Sequence, residues 1–328
     1  MSAPRFASTS TLFAVLALGV FSLVSIGAQG QTSTAPSTAP YEPRRLPDGQ
    51  PDIQGVYLPS VTGNIGSPIE RFSREEREVY FKRMLAVRGP DVPAHGQEWT
   101  EGALRARGSR MKMGTVLVVD PPDGKIPWQP WALAKQNHIR DNPYERSEFL
   151  DSRIRCLPGG TPRENLGGAT NAFQVLQPPG HVVILNENNH IFRIIPLDGR
   201  PHPGPDVQLW MGDSRGHWEG TTLVVDVTNF TDKTWVTGEQ GGEGLSTGAF
   251  HSPALHVVER YVIVNADHVD YEVVIEDPNV FTRPWTMKYD VWKRAPAGYE
   301  MLEYACHEGN KLPELVESSF HKPAADKR

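Results

Sequence analysis

Apolar and polar residues alternate with a period of two through most of the second half of the chain, the pattern of strands with one buried face. Residues 181–185 (HVVIL) and 190–196 (HIFRIIP) flank the turn-forming run Asn186-Glu187-Asn188-Asn189 and read as a hairpin. Residues 207–211 and 222–230 flank GDSRGHWEG, which reads as the turn of a second hairpin. Further alternating runs follow at 255–264, 269–276, 285–293 and 299–307, joined by short turns such as Asn265-Ala266-Asp267. Sequential antiparallel strands at this spacing predict a mainly β fold, an antiparallel lipocalin-like barrel or strongly curled sheet. Eight such strands leave room inside for one small ligand.

Upstream the pattern changes. A helical period runs through residues 73–87, where Ser73 is a cap, Glu76 stands at the capping-box position, and Tyr80, Phe81, Met84, Leu85 and Val87 form a stripe. A weaker helix covers residues 131–138. The first thirty residues are of another kind: Arg5, an uncharged run over 11–28, then the small residues of Ala28-Gln29-Gly30. That is the layout of a cleaved signal peptide. The competing reading, a membrane-anchoring helix, is opposed by Gly19, Ser22 and Ser25 and by the lack of a charged stop-transfer cluster. The expected organisation is a signal peptide over 1–30, a disordered linker over 31–44 and an irregular N-terminal segment over 45–175. A barrel-like core over 176–317 and a flexible tail over 318–328 complete it. The expected location is periplasmic or secreted, with no integral membrane span after processing.

Composition sharpens this in three ways. The chain holds 30 glycines and 29 prolines, punctuation that suits short strands and turns rather than a helical bundle. Asp-Gly precedes proline at Asp48, Asp123 and Asp198, which is turn chemistry. A formal net charge of −6 without Lys/Arg runs argues against a nucleic-acid partner or an anionic membrane surface. The two cysteines, Cys156 and Cys306, form no CxxC pair. In an oxidising compartment they are either one disulfide or two buried thiols. A bridge closing so long a loop stabilises by about 4–5 kcal/mol in the chain-entropy account.

Several motifs together resemble a large, mostly uncharacterised family of secreted bacterial proteins. They are PDIQGVY from Pro51, VVDPPDGKIPW from Val118, CLPGGTPR from Cys156, RIIPLDGRPHP from Arg193 and WMGDSRGHWEGTTLVVDVTNF from Trp210. LHVVERY from Leu255, IEDP from Ile275, FTRPWT from Phe281 and YACHEGN from Tyr304 continue the likeness over nearly the whole mature chain. The resemblance implies export and a single folded unit, and brings no activity with it. One departure is the Gly-rich insert between Trp235 and His251.

Candidate chemistry centres on 255–264. In a strand there, Leu255, Val257, Glu259, Tyr261 and Ile263 share one face, and His256, Val258 and Arg260 the other. A carboxylate in that apolar row is either an acid–base group of altered pKa or the partner of a buried arginine such as Arg193. A strand over 299–307 would turn Glu303 and His307 to one side, and if it neighbours the 255–264 strand a His/Glu pair meets across the sheet. Glu259 is then the expected base and His307 the acid, supported by His256 and Asp226. Asp226 has a structural reading as well, as a group that holds its strand. His251, His256 and His307 are the expected ligands if a divalent metal is bound, although neither HExxH nor CxxC occurs. His251 sits in a loop, where solvent exposure is the competing reading. Trp128, Trp131 and Trp235, with Arg193, are candidates to line a ligand site, core packing being the alternative for the tryptophans.

No GxSxG elbow, GxGxxG after a strand or Walker loop occurs, so no nucleotide cofactor is expected, and none is required. The reading that follows is an exported enzyme doing acid–base chemistry on a small apolar or aromatic molecule in a barrel cavity: a hydratase, isomerase, lyase or hydrolase. A non-catalytic periplasmic ligand-binding protein and a metal-dependent hydrolase are the alternatives.

Overall fold

Val, Ile, Tyr and Trp at every second position make the strands, and their common inner face makes the core. The computed structural model describes residues 41–59, 69–73, 75, 76, 79, 117–166, 172–237 and 248–311. The expected signal peptide, most of the linker, the tail, most of the 73–87 helix and residues 238–247 of the insert lie outside them.

The described strands are β1 (Gly55–Pro59), β2 (Val118–Asp120), β3 (Phe173–Leu176), β4 (His181–Asn186) and β5 (Phe192–Pro196). They continue with β6 (Asp213–Glu219), β7 (Thr222–Thr228), β8 (His256–Asn265), β9 (His268–Glu276) and β10 (Trp285–Arg294). Nine of them form one sheet in the order β5-β4-β3-β1-β10-β9-β8-β7-β6, and β2 adds to β10. Every pairing is antiparallel. The outer strands β5 and β6 meet without pairing: Arg193 of β5 donates to Ser214 Oγ of β6 at 2.9 Å. Gly216 of β6 lies under Ile195 and Leu197, where an added Cβ would sit 2.7 Å from each. The sheet is thus strongly curled and nearly closed into a barrel, the expected fold class.

The sequence-based picture is corrected in three places. GDSRGHWEG is strand β6 and not a turn; the turn is Gly220-Thr221. Its alternation is intact, with Asp213, Arg215, His217 and Glu219 outward. Its buried positions are Ser214 and Gly216, so the apolar signal that marks a strand is missing. Residues 299–307 form no strand, and Leu302, Glu303 and His307 are exposed there. The order is also not a plain meander, because β1 enters from the N-terminal side between β3 and β10. Residues 197–212 then run back along the wall to start β6 beside β5.

The interior carries a run of rings, with Tyr57 5.9 Å from Phe173, Phe173 4.3 Å from Trp292, Trp292 4.7 Å from Tyr261 and Tyr261 5.1 Å from Tyr271. Each such side chain taken from water contributes about 1.5–3 kcal/mol. One end of the barrel is covered by the N-terminal segment, through Ile53 N–H to Gln177 Oε1 at 2.8 Å and Gln177 Nε2 to Pro51 O at 3.0 Å. The other end receives residues 151–166, whose Asn165 reaches the interior. A Cys156–Cys306 disulfide ties that segment to the C-terminal one, and Asn310 Nδ2 donates to Ile154 O at 2.7 Å beside it.

Helix α1 (Pro130–Asp141) begins with a proline at its first turn, where the missing N–H costs nothing. Ser73 N–H donates to Glu76 Oε2 at 2.7 Å and Glu76 N–H to Ser73 Oγ at 3.1 Å, the reciprocal capping box expected there. Among the described residues no helix is long and apolar enough to cross a membrane.

Candidate functional site

Strand β8 carries Glu259 inward and His256 and Arg260 outward. Glu259 points inward, is fully buried, and lies opposite Val225 of β7 and Val273 of β9. Arg193 of β5 meets it with both terminal nitrogens, Nη1 donating to Oε1 at 3.1 Å and Nη2 to Oε2. Oε1 also accepts from Asn165 Nδ2 at 2.8 Å, Tyr261 OH at 2.9 Å and Tyr271 OH at 2.8 Å. Burial alone would lower the Arg193 pKa, and the Glu259 carboxylate reverses this and holds it above its ordinary value. Burial pushes the hydroxyls of Tyr261 and Tyr271 well above the usual tyrosine range. Five donors onto one buried carboxylate leave little lone-pair capacity for a substrate. This is the arginine pairing that the sequence offers as the alternative to an acid–base role.

The outer face of the same wall is different. His256 opens β8 and faces Asp226 of β7, with Nε2 2.9 Å from Oδ2. The other ring nitrogen, Nδ1, lies 3.8 Å from Glu276 Oε2 of β9, beyond hydrogen-bond length. Asp226 Oδ1 is 2.8 Å from Nε2 of His202, and His202 Nδ1 is 2.6 Å from Asp213 Oδ2 of β6. Arg215 Nη1 closes the row at 2.9 Å from Asp213 Oδ1. The register creates this line: Asp226 is paired with Arg215 on one side and with Val258 on the other, and His256 is paired with Glu276. Diagonal neighbours on one face of a sheet are within reach of long side chains. The side chains of Asp226 and His256 are 40% and 38% exposed, so the pair is open to solvent. The hydrogen bond between them lowers the Asp226 pKa and raises that of His256.

The remaining expected residues are scattered. His307 is exposed in a turn of the C-terminal segment, while Glu259 is enclosed by the partners named above, so the Glu259–His307 pairing is not formed. The strand it depends on is absent because no ladder takes up those residues. His251 is buried, not solvent-exposed: Nδ1 donates to Ser252 O at 2.9 Å and Nε2 accepts from Thr234 Oγ1 at 2.8 Å. Burial lowers its pKa. His251, His256 and His307 are therefore not gathered as ligands. Among the described residues no group of three or more His, Cys, Asp or Glu side chains is arranged to hold a metal ion.

The tryptophans do come together, around Phe250. Trp128 is 5.9 Å from its ring, Trp131 5.8 Å, and Trp235 forms a β-bridge with it. Trp235 is buried, Trp131 is 52% exposed, and Lys135 Nζ lies 4.1 Å from the Phe250 centroid. Arg193 lines no rim, being committed to Glu259 and Ser214. Arg260 pairs with Glu219 at 2.6 Å.

Sequence reasoning misses His202 and Asp213. His202 lies in the Pro-rich run Pro201-His202-Pro203, which has no period, and DGRPHP reads as turn chemistry alone. Asp213 stands in the segment that reads as a turn. No protein-family model, curated protein or solved structure matches the chain.

Proposed function

We propose that the protein works outside the cytoplasm as an acid–base enzyme whose proton-exchanging group is His256, oriented by Asp226, on the outer wall of the barrel. The observation that carries this reading is the half-exposed pair itself. His256 Nε2 is fixed on Asp226, while Nδ1 stands 3.8 Å from Glu276 Oε2, an ion-pair distance, on a side chain that is 38% exposed. A carboxylate behind one imidazole nitrogen sets the ring's orientation and raises its basicity, and the opposite nitrogen then takes or gives a proton. Hydration, isomerisation, elimination and hydrolysis of a small molecule all turn on such a transfer. The Cys156–Cys306 bridge and the Arg5-led apolar start of the chain support action in an oxidising, extracytoplasmic compartment.

The test is turnover of a panel of aryl esters, lactones and β-elimination substrates by the wild-type protein and by His256→Gln and Asp226→Asn. A loss of about 10²–10⁴-fold in the His256 variant is expected. Equal rates in wild type and variant, or no turnover of any panel member by wild type, count against the reading.

A non-catalytic ligand carrier is the second reading. It is favoured by the half-exposed Trp131 beside Phe250, Trp128 and Lys135. A carrier releases an unchanged small molecule on denaturation, which mass spectrometry of the extract detects.

A further inference from the structure

We infer that His202 is the positioning residue of this site, a ring held between two carboxylates that fixes Asp226 against His256. The inference deepens the acid–base reading above and rests on it for the role, while the coupling of His202 to His256 is open to direct observation.

Each nitrogen of His202 has a carboxylate oxygen within hydrogen-bond length, Asp213 Oδ2 at Nδ1 and Asp226 Oδ1 at Nε2. Arg215 Nη1 lies 2.9 Å from Asp213 Oδ1, so the carboxylate at the far end of the ring is itself anchored. A ring bonded at both nitrogens cannot turn without giving up a contact, so its hold on Asp226 has a fixed direction.

The groups around His202 come from four strands and its own segment. They are Asp213 and Arg215 on β6, Asp226 on β7, and His256 across Asp226 on β8, with Glu276 of β9 beyond it. On its own segment, Asp198 pairs with Arg200.

The ring's position is set by backbone anchoring as well as by its own side-chain contacts. Arg215 Nε donates to Pro201 O at 3.3 Å, and Asn229 Nδ2 donates to Gly204 O and Val207 O at 2.9 Å each. Pro201 and Pro203 stiffen the chain on either side. A carboxylate with one oxygen on a fixed donor presents its other oxygen in a fixed direction, here to His256 Nε2. The arrangement repeats on a larger scale the logic by which an outer partner fixes the tautomer and direction of a working histidine.

His202 also has a defined electrostatic consequence. Its share of Asp226 competes with the hydrogen bond that raises the His256 pKa. His202→Gln removes the ring from that competition, so the His256 titration midpoint moves upward.

The experiment is ¹⁵N NMR of the imidazoles in the full-length mature protein. His202→Gln is expected to raise the His256 midpoint above that of wild type. The pH profile of any substrate turned over moves with it, which a residue that merely holds the connection would not produce. An unmoved His256 midpoint in a folded His202→Gln variant overturns the inference. If that variant does not fold, His202→Asn takes its place in the same titration. If no substrate is found, the acid–base reading fails while the spectroscopic result still judges His202.

Discussion

Glu259 and His256 stand three positions apart on β8, one turned inward and one outward. Both belong to networks of carboxylates and cations, yet the networks end differently. Inside, Glu259 is met by Arg193, Asn165, Tyr261 and Tyr271, and these donors come from β5, the short 3-10 helix Arg163–Asn165, β8 and β9. Outside, the row Arg215–Asp213–His202–Asp226–His256 ends at a ring nitrogen whose next partner, Glu276 Oε2, stands off at 3.8 Å. A buried charge persists only when its partners are complete, so completeness marks a structural role. A half-exposed row can hold its last group loosely at little cost, and such a group can exchange protons with solvent.

The largest effect should come from breaking the inner network. Glu259→Gln keeps the shape and removes the charge, leaving Arg193 uncompensated in the core. We expect a loss of about 3–5 kcal/mol in urea unfolding. Replacing Arg193 and Glu259 together with methionine should cost much less than Glu259→Gln alone, since no lone charge remains. If Glu259→Gln costs under about 1 kcal/mol, the inner network does not hold the barrel and the contrast between the two faces fails.

Asn165→Ala is the intermediate case. It removes donors to Glu259 Oε1 and to Tyr261 OH and leaves Arg193 in place. The expected cost is about 1–3 kcal/mol, that of under-satisfied buried acceptors. Asn165 stands on the segment tied by the disulfide to the C-terminal chain, so the same measurement after reduction tells whether the bridge keeps that donor in position. A further loss on reduction that is smaller in Asn165→Ala than in wild type is the expected result.

Asp226→Asn should cost least of the single changes, about 0.5–1 kcal/mol, because its side chain is 40% exposed and the pair is screened by water. Its effect on any turnover should be far larger than its effect on unfolding. Proportional losses in both would place Asp226 with Glu259 as a structural group and remove the difference between the two faces.

These two faces are unequally legible in the sequence. The period of two is enough by itself to separate Glu259 from His256, because alternation needs only neighbouring residues. It also names Arg193 as a partner, since an apolar row with one carboxylate asks for one buried cation. His202 carries no such mark. It lies 24 positions before Asp226 in an aperiodic Pro-rich stretch, and only the return of residues 197–212 along the outer wall brings it there. β6 is hidden for a related reason: the nearly closed seam needs Ser214 and Gly216 at its inward positions, to bond Arg193 and to fit under Ile195 and Leu197. Small residues demanded by close approach look like turn residues in a sequence. The reading of 299–307 fails in the opposite direction, since alternation is present and no sheet edge takes it up.

The smallest effect is also the most discriminating, because sign separates the outer pair from the buried His251. In the folded chain His256 titrates above its ordinary value of 6.5 and Asp226 below its ordinary 3.8. Stabilisation from His256 is complete below pH 6.5 and is lost as pH rises through the raised folded value. Stabilisation from Asp226 is complete above pH 3.8 and is lost as pH falls through the lowered one. The difference in unfolding free energy between wild type and Asp226→Asn should therefore form a plateau between about pH 4 and 6.5 and decline on both sides. His251 behaves otherwise: burial holds its folded value below 6.5, so the unfolded chain takes up its proton first and stability falls as pH drops from 6.5 toward that value. His251→Gln, which keeps an acceptor for Thr234, should flatten that acid-side fall and leave the Asp226 plateau in place. A plateau that disappears along with His251 would mean that the outer pair contributes nothing of its own.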